Sequence, residues 1–167
     1  MTETNAAANG AANTPSGPRV QLQKIYMKDA SVEVPNAPQI FTKSFQPKVD
    51  VQLNTEVSTL NAEAHQVLLS ATVTARQDED VAYLVEVHMA GVLLLNEVKE
   101  GPEKQALLGA WAPNTIFPFL REAVSDLVQK AGFPPFLLQP VNFDAALREH
   151  LGRQKTEAGA GEGAAKH

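Results

Sequence analysis

Two hydrophobic periods divide this chain, and no one segment can satisfy both. In the first half apolar residues recur at every second position. Phe45, Pro47, Val49, Val51 and Leu53 alternate with Gln46, Lys48, Asp50, Gln52 and Asn54. Val67, Leu69, Ala71, Val73 and Ala75 alternate with Gln66, Ser70, Thr72, Thr74 and Arg76, interrupted only by Leu68, and Val81, Tyr83, Val85, Val87 and Met89 continue the pattern. Side chains two apart share a face of a strand, so three strands with one greasy and one mostly wet face are predicted. Asp78-Glu79-Asp80 reads as the turn of a hairpin. An earlier strand from Val20 to about Val34 slips phase twice, from Val20 and Leu22 to Ile25 and Met27, then to Ala30, Val32 and Val34. Each slip predicts a bulge or kink.

In the second half the period changes. Residues 104–112 predict a short helix stopped by Pro113, with Asn114 as the cap of the next. Phe117, Leu120, Val124, Leu127, Val128 and Ala131 recur at helical spacing up to Gly132, while Ile116, Phe119 and Ala123 form a second apolar stripe. Asn142 caps a last helix carrying Phe143, Leu147 and Leu151, with Gly152 as its expected stop. Strands followed by helices predict an α+β fold with a four-stranded antiparallel sheet. One stripe of the main helix covers the sheet. The other is left for a partner subunit, or for the short helix or the Phe136-Leu137-Leu138 linker to fold over.

The ends are different material. Residues 1–18 are mainly Ala, Asn, Gly, Ser, Thr and Pro, and residues 155–167 hold no large apolar side chain. Both are expected as disordered tails around a single domain at 19–154, because neither can bury enough surface to offset its ordering entropy. The formal net charge is −5, with −1 in the first tail and none in the second, so the domain carries about −4. With no basic stripe, nucleic acid and anionic membrane are poor partners and a basic protein a better one. No run approaches the ~18 apolar residues of a membrane span. Without the apolar stretch of a secretory signal the cytoplasm is the expected address. There is no cysteine, which excludes disulfide and thiolate chemistry.

Catalytic signatures are missing. There is no nucleophile elbow, no dinucleotide fingerprint and no phosphate-cradling loop, and His65, His88, His150 and His167 show no metal-ligand spacing. No cofactor, metal or catalytic residue is expected, although distant residues could still assemble into a triad. Three features ask for another explanation. Phe41 and Phe45 sit in a proline-bounded connector (35–47), the greasy sheet face is longer than one helix covers, and Leu84 stands on the wet face beside Glu86 and His88.

Three ordered segments, 36–41 (NAPQIF), 112–128 (APNTIFPFLREAVSDLV) and 133–147 (FPPFLLQPVNFDAAL), with the strand pattern between them, resemble the SecB family of bacterial protein-export chaperones. The resemblance runs from about Val20 to Leu151. It implies a homotetramer, a dimer of dimers with the main helices at the subunit interfaces through Ile116, Phe119 and Ala123. It implies ATP-independent holding of unfolded precursor proteins in apolar grooves and their delivery to the SecA motor ATPase. The uncovered greasy face then supplies Val49, Val51 and Leu53 as groove floor, with Phe41 and Phe45 as walls. By position, Asp29, Glu33, Leu84 and Glu86 match the flat acidic surface on which the family docks SecA. The tails depart from the family pattern, and Phe45 stands where tryptophan is common. Two other classes stay open: an enzyme of unknown type, and a SecB-like chaperone serving a toxin–antitoxin pair.

Overall fold

The computed structural model describes residues 19–162, with side chains to residue 155. The expected N-terminal tail and residues 163–167 lie outside the described residues. Four strands, β1 (Val20–Glu33), β2 (Lys48–Thr59), β3 (Ala64–Gln77) and β4 (Asp80–Leu95), form one antiparallel sheet in the order β1-β4-β3-β2. The α+β class with four antiparallel strands is therefore observed. Both predicted slips of β1 are present: its pairing with β4 shifts register between Leu22 and Lys24 and between Met27 and Asp29. β2 pairs with β3 without a break. The acidic turn is tighter than expected, because Gln77 pairs with Asp80 and only Asp78 and Glu79 lie between. Asp78 takes φ +52°, a left-handed conformation that aspartate tolerates.

β4 continues six residues beyond Met89. The greasy face carries on through Gly91, Leu93 and Leu95, and Gly91 hides the alternation because it has no side chain. A Cβ at Gly91 would stand 2.9 Å from Cδ1 of Ile116, so the missing side chain is the space into which the main helix settles.

The helical half differs from its prediction at one point. A short helix α1 (Pro102–Ala106) runs through a π turn (Leu107–Trp111) directly into α2 (Ala112–Lys130). Pro113 does not stop the helix and Asn114 does not cap it. Proline in a helix loses its N–H bond and clashes with the carbonyl four residues back. In the π turn the Ala112 N–H bonds to Leu107 O, five residues back, and this wider turn accommodates Pro113. α2 ends as predicted at Gly132, with φ +91°. The Gly132 N–H bonds to Gln129 O and the Phe133 N–H to Val128 O, a Schellman cap. Asn142 caps α3 (Phe143–Glu162) through Oδ1 and the Ala145 N–H, at 2.9 Å. α3 does not stop at Gly152, and its backbone is helical through residues 155–162, where a tail was expected. A glycine inside an exposed helix costs only about 1 kcal/mol relative to alanine, and Arg153 pairs with Glu149 one turn back.

α2 packs mainly on β4 and β3. The buried core lies there, with Val67, Leu69, Val73, Val85, Val87 and Leu93 fully enclosed beneath Ile116, Leu120, Val124 and Val128. The incomplete cover follows from dimensions. Strands ~4.8 Å apart put the outer axes of a four-stranded sheet roughly 14 Å apart, and one helix with its side chains is about 10–12 Å across. At 100° per residue, Ile116, Phe117, Leu120, Ala123, Val124 and Val128 fill one continuous arc of about 140°, and all six are buried. The two expected stripes are therefore one. Ile116 and Ala123 face the protomer's own sheet, and of the three residues expected at a subunit interface only Phe119 points outward, 49% exposed.

Candidate functional site

Two surfaces on opposite faces of the sheet carry the candidate residues. The first follows β2 on the greasy side. Val49, Val51 and Leu53 are paired with Ala75, Val73 and Ala71, so they share the face of the core residues. α2 leaves them partly uncovered: Val49 and Leu53 are half-buried, and Val51 is 39% exposed. The same row continues through Thr55 and Val57 to Thr59. From Lys48 to Thr59 the strip is roughly 37 Å long at about 3.4 Å per residue. It is a shallow apolar floor with one free strand edge, since β2 is the last strand of the sheet.

At the Val49 end stands an aromatic wall. The connector forms a short 3₁₀ turn (Gln39–Thr42) that buries Ile40 and turns Phe41 outward. The Phe41, Phe45 and Tyr83 rings all pack on Phe133, with centroids 5.2, 5.0 and 5.0 Å away. Both predicted wall residues are therefore brought together, and sequence reasoning missed the ring that joins them. The only signal was the position of Phe133 directly after a glycine helix stop. Gly132 matters twice here, because its left-handed φ turns the chain and its bare Cα admits the Phe41 ring, 3.2 Å from where a Cβ would be. The connector is tied to the hairpin end of the central strands β3 and β4 by hydrogen bonds from Gln77 to Ser44 O, from the Gln46 N–H to Gln77 and from Asn36 to Val81 O. Lys43 also pairs with Asp80, a hydrogen-bonded contact that raises the lysine's pKa.

At the other end, Val57 and Thr59 meet α1, the π turn and α3 around a cavity of about 320 Å³. Leu147 of α3 sits on Gly109, where a Cβ would be only 2.7 Å from Cδ1 of Leu147. His65 lines this cavity and is 1% exposed. Burial, with the nearby Lys104 charge, pushes its pKa below the ordinary histidine value.

The second surface is the wet face, where the strand register assembles rows. Glu33 stands opposite Leu84, which stands opposite Thr74 and then Asp50. The next row is Ser31, Glu86, Thr72 and Gln52, and the next Asp29, His88, Ser70 and Asn54. Asp29, Glu33, Leu84 and Glu86, dispersed in sequence, are thus neighbours on one face of the sheet. The two β1 carboxylates are exposed, while Leu84 and Glu86 are half-buried. His88 is held by Ser70, with Oγ 2.8 Å from Nδ1. The second bulge of β1 puts Asp29 and Glu33 on this face, since after it their parity matches that of Leu84 and Glu86.

Among the described residues no group of three or more His, Asp or Glu side chains could hold a metal ion, and no helix is long and apolar enough to cross a membrane. The family described as preprotein translocase subunit SecB matches residues 13–154. The protein-export protein SecB of Hydrogenovibrio crunogenus is 47% identical over 133 residues, covering 80% of this chain and 89% of that one. The protein of the same name from Marinobacter nauticus is 41% identical over 162 residues, covering 97% of this chain and 96% of its own. Among solved structures, a SecB-like chaperone of Mycobacterium tuberculosis in complex with a peptide from an antitoxin superposes with a TM-score of 0.59 at 18% identity, covering 74% of this chain and 88% of that one. That likeness bears on the fold.

Proposed function

The chain belongs to the SecB family of protein-export chaperones, and from that premise we propose that it holds unfolded precursor proteins along β2 without nucleotide and hands them to the SecA motor. The observation that carries this reading is the apolar strip Val49, Val51, Leu53 and Val57, open to solvent beside the Phe41–Phe133–Phe45 wall. An extended client laid there meets side-chain contacts that require no particular sequence, and the free β2 edge offers backbone hydrogen bonds. Several weak contacts along one chain add up through effective concentration.

Delivery uses the opposite face. Asp29, Glu33 and Glu86 surround Leu84 on one face of the sheet, an arrangement suited to a basic surface of the motor. Charges of this kind steer encounter and orient docking, and the half-buried leucine supplies a small apolar centre. The working assembly is a cytoplasmic homotetramer, a dimer of dimers. Its interface uses the outward-facing Phe119 of the main helix and Trp111 of the π turn that precedes it, which are 49% and 40% exposed. The toxin–antitoxin reading has less support, because the export proteins share 41–47% of their residues with this chain and the antitoxin-bound chaperone shares 18%.

Light scattering of the full chain with and without a denatured precursor tests the proposal. A tetramer that captures the precursor equally with and without ATP is the expected result. A folded monomer at micromolar concentration, or capture that requires ATP, overturns it.

A further inference from the structure

β2 is an edge strand without the usual protections. Lysines, prolines and bulges along a free edge normally deter a further strand from pairing there. β1, the other edge, has two bulges and the exposed Lys24 and Lys28. From Val49 to Thr59, β2 has an unbroken ladder and no lysine, proline or glycine. Its side chains alternate between two chemistries. Val49, Val51, Leu53 and Val57 face the groove, while Asp50, Gln52, Asn54 and Glu56 lie on the opposite, wet side, all four exposed. The two carboxylates are six residues apart, roughly 20 Å at about 3.4 Å per residue. Asp50 accepts a hydrogen bond from Gln52 Nε2 at 3.3 Å, and Glu56 one from Asn54 Nδ2 at 3.0 Å. Neither carboxylate is in an ion pair among the described residues.

We propose that Asp50 and Glu56 set the register in which an extended client pairs with β2, by meeting two cationic client side chains six residues apart. The proposal rests on the holding function above and names a class of client segment: an apolar–polar alternation with lysine or arginine at that spacing on its polar side. A strand added to the β2 edge continues the sheet. Its alternate side chains then point to the groove and to the wet side in step with those of β2. Apolar contacts in the groove do not fix such a strand lengthwise, because a shift of two residues returns every side chain to the same face. Opposite charges directly across a strand pair do fix it, since like charges there are destabilising. In the matched register both cations face carboxylates. A two-residue shift one way places them opposite Lys48 and Asn54, and the other way opposite Gln52 and Ser58. Both pairs are lost in either shift, and the first also sets a cation against a lysine.

The test uses the assembled full-length protein and two synthetic twelve-residue peptides of alternating apolar and polar residues. They are identical in composition, with two lysines either six or four residues apart on the polar side. Equal net charge removes general attraction to an acidic protein from the comparison. The six-residue spacing makes two ion pairs and the four-residue spacing one, so the wild type should bind the first about 2- to 5-fold more tightly. The double variant Asp50→Asn, Glu56→Gln changes only exposed side chains, which leaves the fold in place, and it should bind the two peptides equally. Equal binding by the wild type, or a spacing preference that survives the double variant, overturns the register and leaves the groove intact. Binding of neither peptide overturns the groove reading and the register with it.

Discussion

The two faces of this sheet come from the same four strands and end in different conditions. On one face Val67, Leu69, Ala71, Val73 and Ala75 are shut away under α2, at most 1% exposed. On the other, the interleaved Ser70, Thr72 and Thr74 stay half-buried beneath nothing but their neighbours. Alternation creates both faces at once. Whether a face becomes core or contact surface depends on what the rest of the chain lays over it. A single helix covers the central strands and leaves β2 only partly covered, so the greasy face is divided into a core and a groove, while the wet face has no helix over it.

Mutations at matched register should break or sharpen that contrast. The largest effect belongs to the covered strands. Leu69→Ala should cost about 2–5 kcal/mol, while Thr72→Ala, on the opposite face, should stay within about 0.5 kcal/mol. Denaturant unfolding of both measures the asymmetry, and equal losses would erase it. Next comes the partly covered strand. Val49, Val51 and Leu53 replaced together by alanine should weaken client binding by roughly 1 kcal/mol for each truncated side chain the client desolvates. Titration with an unfolded precursor reads this directly, with tetramer assembly and motor binding expected to be unchanged. On the wet face, Glu86→Lys and Leu84→Gln should each weaken SecA binding several-fold and leave client capture untouched. The wild-type interaction should also fade with added salt, as the screening length falls from about 8 Å toward 3 Å. Loss of both activities in either mutant would mean that the faces do not act separately.

The smallest effect is in pH. His65 is buried on the covered face with its pKa lowered by burial and then by Lys104. The unfolded chain, with histidine near 6.5, therefore binds more protons than the folded one. Stability is full above that value and falls as pH drops below it. His65→Phe should flatten that acid-side slope in thermal melts taken across the window, and an unchanged slope would place its origin elsewhere.

How much of this was legible in the sequence depended on whether a residue's neighbours were local. Period-two alternation, the two phase slips of β1 and the Asn142 cap depend on adjacent residues, and all are found as read. The wet-face positions came from a family resemblance, and the register then brought them together. Pro113 misled because its clash is relieved by a π turn whose hydrogen bonds leave no mark in composition. Ile116 and Ala123 were assigned to a partner because helical spacing gives an angle but not the width of the buried arc. Phe133 was overlooked for a related reason: its three ring contacts come from the connector and β4, far away in the chain.

The two bulges of β1 also bear on how this chain can change length. A residue inserted or lost within a regular strand turns every side chain beyond it to the opposite face. In β1 the unpaired positions are Gln23 and Lys28, and removing one of them would straighten the strand without inverting its neighbours. Removing Ser31 instead would exchange the inner and outer sides of whatever lies beyond it. β1 thus carries two points at which a deletion is absorbed locally, and β2, whose ladder is unbroken, carries none. Of the two edge strands, the one proposed to form the client floor is the one with no slack.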